Sequence, residues 1–530
     1  MATADPVNET TPLLALEAQE NDLKRPTPLP KIQLAILCAI RLMDPLTFTQ
    51  IFPYINQFLT SLNLVPDESQ IGFYSGLVES SFALFQLLFI YQWARISDLV
   101  GRRPVIVIGT AGLSISTILL GLTSNLPQIL IARCLAGTFS GTAAVLHSVL
   151  GELTDQSNQA VAFPIYGLFW PLGSIVGPLI GGTLANPAEK FPDLFGSVAF
   201  LIHYPYFLPC CFSGLIALVM ALLAYFFLNE VGQLHHLEPP TTPPTTYGAL
   251  GHTSTTSPTS IPTGTHAHNE PETHPATIAH NARVHRNKAT LLAAQVPGTN
   301  VKELSMRDLF SIPIIGALCL SGCALCFIAT AFDAVFVLFC YTPIESGGLS
   351  FNTSQIGCAL AIAGSSSILI QLIIFPSLLR RFSHAKLYNF FMLLWPITFA
   401  AMPILRLTII SGSSGASGTT RLAFVWTEIV ALMALSRFGC LAYSVSLILC
   451  KDHAPAPTAL AKTNGLVLLG MCMARAGAPA FVSSVFAWSV KYHILGGYFW
   501  IIIMVTICLL GCSLSKRIAH PQGYVGPAIM

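Results

Sequence analysis

The sequence predicts an all-α membrane protein, with twelve transmembrane helices in two six-helix halves. Three observations carry that prediction. Of 530 residues, 53% are hydrophobic and only 9% are charged, whereas soluble domains carry roughly 25% charged residues. Twelve apolar stretches each match the length of about 20 residues that a helix needs to cross a bilayer. A long polar stretch, about 231–305, divides them six and six.

Taken in order, residues 1–31 are polar and hold Pro6, Pro12, Pro26, Pro28 and Pro30. They lack the short apolar core of a signal peptide and read as a disordered cytoplasmic tail. Within it, Glu9 precedes Leu13 and Leu14 in the manner of an acidic dileucine sorting signal, which would favour a vacuolar or lysosomal membrane, with the plasma membrane the other expectation. The first half covers 32–230, with spans expected near 32–60, 71–94, 104–123, 127–150, 160–184 and 199–228. The second half covers 306–515, with spans near 309–341, 354–379, 387–408, 421–449, 459–485 and 493–515. Residues 516–530 form a cytoplasmic tail. With the N-terminus inside, eighteen of the 26 lysines and arginines fall on the cytoplasmic side and four on the other. The positive-inside bias therefore puts both termini and the central loop in the cytoplasm.

The 231–305 segment is dominated by Thr, Pro, Ser and Gly, too poor in apolar residues for a core. It holds eight of the fourteen histidines, the commonest metal ligands. Only His266 and His268 are regularly spaced, so they are weak metal candidates beside a filler reading. Asn352-Thr353-Ser354 is a glycosylation sequon on the expected outer side. Most of the fourteen cysteines lie in apolar runs with no disulfide framework, and the Cys323/Cys326 pair reads as helix packing. No cofactor is implied. The chain has no HExxH, Walker A or G-x-S-x-G pattern, so an enzyme is not expected. Without a basic stripe, neither is a nucleic-acid partner.

The informative residues are charges inside spans, each costing about 2.5–3.5 kcal/mol on insertion scales. Arg41 and Asp44 share one helix face at i, i+3, and Pro45 frees a backbone carbonyl one turn earlier. The pair either exchanges a proton and substrate or is a static ion pair that fixes packing. Glu79 and Asp333 are further buried carboxylates, and Glu428 is a weaker one. Phe48, Tyr74, Phe169, Trp170, Phe336 and Trp395 are candidate cavity aromatics. Asn464 and Arg475 are candidates to face a central cleft.

Several motifs carry a resemblance. "WARISDLVGRRPV" resembles the signature loop of the major facilitator superfamily through Asp98, Gly101, Arg102 and Arg103, although Ala94 replaces the usual glycine. "RCLAGTFSG" resembles that superfamily's fourth-span signature through Arg133, Gly137 and Gly141. "GSIVGPLIGG" resembles the antiporter motif through Gly173, Gly177, Pro178, Gly181 and Gly182. "RLMDPLTFTQIFPY" and "APAPTALAKTNG" narrow the likeness to the fungal twelve-span drug:proton antiporter branch, near the zinc-induced-facilitator-like group. The resemblance implies the major facilitator fold and a cytoplasmic gate at Asp98–Arg103. It also implies alternating access, with Arg41, Asp44, Glu79, Arg133 and Asp333 at the coupling site or cleft. The expected activity is export of a small organic molecule, such as a drug or secondary metabolite, by a lipid-embedded monomer with protons as coupling ion. Metal or metal-chelate efflux, or a non-transporting sensor, are the alternatives.

Overall fold

In a computed structural model of the chain, the described residues are 29–62, 70–154, 158–230, 306–411, 418–453 and 460–519. The expectations for both tails, the dileucine, and the His266/His268 loop lie outside them. Twelve helices are long and apolar enough to cross a membrane. Spans 1–6 are Lys31–Thr49, Ile71–Val100, Arg102–Gly121, Leu126–Leu153, Val161–Leu184 and Phe207–Phe227. Spans 7–12 are Pro313–Tyr341, Thr353–Arg381, His384–Ile410, Ala423–His453, Thr463–Lys491 and Phe499–Ile518.

The two halves repeat one packing plan. Span 1 packs on 5 and 6, span 2 on 4, and span 3 on 4 and 6; in the second half 7 packs on 11 and 12, 8 on 10, and 9 on 10 and 12. The halves meet where span 5 crosses 8 and span 2 crosses 11, which are equivalent pairs under that repeat.

Prolines and glycines explain where the helices depart from the apolar runs. Span 1 stops at Thr49, because the chain turns through 50–54 at Pro53 before a second helix, Ile55–Ser61; a proline cannot donate into a helix interior. Likewise Pro313 separates Met306–Ser311 from span 7, and Pro205 separates the short helix Ala199–His203 from span 6. Span 8 absorbs Pro376 with a π turn at Ile370–Ile374, the usual accommodation of a lost donor. Span 12 starts late, after left-handed His493 and Leu495. In the opposite direction, span 2 runs past its apolar stretch to Val100, so the signature segment is helix rather than loop. The turn is Gly101 alone, at φ 108°, a conformation that suits glycine.

The contacts between the halves gather toward one end. At the closed end a single apolar cluster runs across both halves, including Ile71, Val78, Leu338, Val482 and Phe486. Polar contacts reinforce it. Lys190 Nζ donates to Gly182 O at 2.6 Å and to Thr353 Oγ1 at 2.9 Å, and Thr60 bonds Tyr341 at 2.8 Å. At the other end, the cluster around Leu37, Val105, Val149 and Ala224 draws only on the first half. Gly167 of span 5 and Gly465 of span 11 have open space where a side chain would begin.

Candidate functional site

Arg41 and Asp44 lie on the inner face of span 1, Asp44 7% exposed. Arg41 Nη1 stands 3.7 Å from Asp44 Oδ2, near enough to neutralise the carboxylate but too far for a firm hydrogen bond. The other carboxylate oxygen accepts from the Ser140 hydroxyl of span 4, and Gln86 Nε2 of span 2 donates to Ser140 Oγ at 2.7 Å. Three spans therefore converge on one carboxylate. Just beyond it, Thr47 and Thr49 turn their hydroxyls back onto the carbonyls of Met43, Asp44 and Pro45, which satisfies backbone groups beside the proline.

A ladder of guanidiniums and rings leads from this pair across the molecule. Arg41 Cζ lies 5.6 Å from the Tyr166 ring centre and 4.8 Å from that of Trp170. Arg475, from span 11 of the other half, lies over the same Trp170 at 5.5 Å and over Phe48 at 4.9 Å. Arg133 of span 4 lies over Phe48 at 5.7 Å and over Phe82 at 4.5 Å. These distances are within cation–π range. Arg133 is 1% exposed, and its Nε and Nη2 have no hydrogen-bond partner. Glu79 is buried and acts electrostatically on Arg133, but no carboxylate among the described residues lies within ion-pair distance of Arg133 or Arg475.

Asp333 is paired within the second half. Its carboxylate accepts from Arg437 Nη2 of span 10 at 2.5 Å. Glu428 accepts from Thr408 at 2.7 Å, at a cavity of about 200 Å³ lined by Ala401, Leu405 and Leu432. Of the aromatic candidates, Phe48 and Trp170 face the cleft arginines. Phe336 and Trp395 are buried in the second half's core, both packed against Phe332.

At the open end, Arg102 bonds Asp98 at 2.6 Å and Glu152 of span 4 at 2.9 Å. Glu230, just after span 6, accepts the backbone N–H groups of Arg102 at 2.7 Å and Arg103 at 3.0 Å. It therefore caps the start of span 3, where the helix dipole favours an anion. The ion pair of Asp98 is with Arg102, one turn away in the first half. The antiporter glycines are contact surfaces. A side chain on Gly173 would strike Pro45 at 2.5 Å, one on Gly177 would strike Leu46 O at 2.6 Å, and one on Gly181 would strike Gln50 O. Gly182 instead meets Thr353 and Gly357 of span 8 across the halves, and Pro178 lies inside the helix. Asn352 is exposed but is the N-cap of span 8, in a capping box with Gln355. Sequence reasoning missed Gln86, Ser140, Glu152, Lys190 and Glu230. Only Glu230 leaves a trace, as an acidic residue directly behind an apolar span. Among the described residues, no three His, Cys, Asp or Glu side chains gather at a common point.

The model of the Major Facilitator Superfamily matches residues 37–479. The major facilitator-type transporter psiT2 of Psilocybe cyanescens is 38% identical, over 93% of this chain and 91% of its own. The efflux pump azaK of Aspergillus niger is 27% identical, over 91% of this chain and 87% of its own; zinc-induced facilitator proteins of Arabidopsis thaliana also match. Among solved structures, a bacterial homologue of the human lysosomal transporter Spinster, inward-facing and unoccupied, superposes with a TM-score of 0.60. It is 15% identical, and 95% of this chain and 100% of that one are covered.

Proposed function

This chain belongs to the major facilitator superfamily, and we propose that it works as a proton-coupled exporter of a small organic molecule by alternating access. It is a multi-pass membrane protein and a secondary transporter. The direction is inferred from relatives named as an efflux pump and a multidrug transporter. One observation carries the coupling assignment: Asp44 is buried between a loosely held Arg41 and a hydroxyl that Gln86 in turn steadies. In this proposal a proton is exchanged at Asp44 as the halves rock, and Arg475 of the other half reaches the same Trp170 as Arg41.

In this reading the Asp98–Arg103 end faces the cytoplasm, as the lysines and arginines suggest. Asp98, Arg102, Glu152 and Glu230 then brace the cytoplasmic gate from inside the first half. The protein acts as a monomer in the vacuolar or plasma membrane, with both termini cytoplasmic. Asn352 then lies on the far side, where glycosylation would require its capping box to open.

The test is uptake of aromatic efflux dyes into inside-out vesicles from a host lacking its own pumps. Wild type should accumulate dye only with an inward-acid pH gradient. Asp44→Asn, present in the membrane in normal amount, should lose at least about tenfold of that gradient-driven uptake, as expected for an acid–base group removed. Normal gradient-driven uptake by the variant would reject Asp44 as the coupling carboxylate.

A further inference from the structure

Arg133 poses a problem that the coupling site does not solve. A buried charge is tolerated when it is paired and hydrogen-bonded, yet the Nε and Nη2 of this 1% exposed residue have no partner. Those two nitrogens are the ones whose N–H bonds run side by side along one edge of the guanidinium. That edge is the fork that matches two oxygens of a carboxylate or phosphate. Arg475 of the other half lies over Phe48, the same ring that Arg133 covers, and over Trp170. Two guanidiniums without a carboxylate at ion-pair distance among the described residues therefore meet at one ring, Phe48, and they come from opposite halves.

We propose that these two arginines take an aromatic oxyanion, a flat ring bearing a carboxylate or phosphate. The oxyanion occupies the Nε–Nη2 edge of Arg133, and the ring lies beside Phe48 and Trp170. The inference rests on the exporter reading, of which it specifies the cargo. Its chemistry is distinct from proton coupling, because Arg41 is already balanced by Asp44 and needs no further anion. Drawing Arg475 and Arg133 onto one anion would also pull the halves together, so that cargo would favour closure. A ligand moves a conformational equilibrium only by its differential affinity for the two states, and a contact shared between the halves supplies that difference.

The probes are three naphthalene compounds of one shape: 1-naphthaleneacetate, its neutral amide, and 1-naphthylethylamine, with 1-naphthyl phosphate as a second anion. Binding to the purified full chain is measured by thermal stabilisation and intrinsic tryptophan fluorescence. The acetate, the phosphate or both should bind, and the amide and amine should bind at least about tenfold more weakly, the worth of a lost charge-assisted bond. Arg133→Lys keeps the charge but loses the fork, and should weaken the bound anion about tenfold. Should that variant fail to fold, Arg475→Gln should weaken the anion by a comparable factor. Equal binding of amine and acid, binding of none of the probes, or anion binding that ignores both substitutions would overturn the proposal. Gradient-driven export of the amine but not the anions would reject the oxyanion class while leaving the exporter reading standing. Anion binding without gradient-driven flux would uphold the pocket and reject the exporter.

Discussion

Phe48 stands one turn beyond Asp44 and bears two guanidiniums, Arg133 from its own half and Arg475 from the other. Each such contact is worth about 0.5–2 kcal/mol, depending on how dry the site is. Phe48→Leu keeps the apolar bulk but removes the π face, so it should lower the melting temperature by a few degrees and weaken the coupling of the halves. Phe48→Tyr should leave both nearly unchanged. Thermal unfolding of the purified variants separates the two, and an unchanged Phe48→Leu would show that the arginines gain nothing from the ring. Arg41, Asp44 and Arg133 were legible in the sequence because a charge in an apolar run has few excuses. Their partners were not. Ser140 and Gln86 are ordinary polar residues on other spans, and nothing local marks Ser140 as the donor to Asp44. Asp333 was legible as a buried carboxylate, but only packing gives it to Arg437 rather than to the cleft.

At the scale of the helix, the glycines of span 5 separate contact from mere presence. A methyl group on Gly181 would collide with the Gln50 carbonyl of span 1, whereas one on Gly167 would meet nothing within 4 Å. Gly181→Ala should therefore lower the melting temperature strongly or prevent folding. Gly167→Ala should be neutral or stabilising by up to about 1 kcal/mol, the helix preference of alanine over glycine. Unfolding curves check both, and equal effects at the two sites would refute the packing assignment. Glu230→Gln should loosen the start of span 3, because it removes the charge that caps two backbone donors; faster hydrogen exchange at Arg102 and Arg103 is the readout. The number of spans could be read from apolar length alone. Their ends could not, because hydropathy reports solvent and lipid while helices stop at backbone signals. Span 2 therefore carries polar Arg95 and Asp98 on to Gly101, and span 1 breaks before its apolar run ends, at Pro53.

For the molecule as a whole, the two-half plan followed from six spans, a polar divider and six more. Which end is shut did not, since the closing contacts join residues such as Lys190 and Thr353 that are 163 positions apart. Lys190 predicts that this end responds to pH. Partial burial pulls its ammonium below the ordinary lysine value, with Glu189 opposing the effect. When the end opens and Lys190 meets water, the ordinary value of about 10.4 returns. Closure therefore releases a proton, and rising pH should favour the closed arrangement within the window between the lowered value and about 10.4. Fluorescent labels at exposed Leu99 of span 2 and Phe382, just beyond span 8, would report the opposite end, which should stay wide as pH rises from 7.5 to 9.5. In Lys190→Met the cross-half bond to Thr353 and the bond to Gly182 are lost, so the population should shift toward the alternative state. The Leu99–Phe382 distance should then shorten at every pH, and its pH response should vanish. A variant with the wild-type distance and the wild-type pH response would remove Lys190 from the latch and leave the apolar cluster alone to hold that end shut.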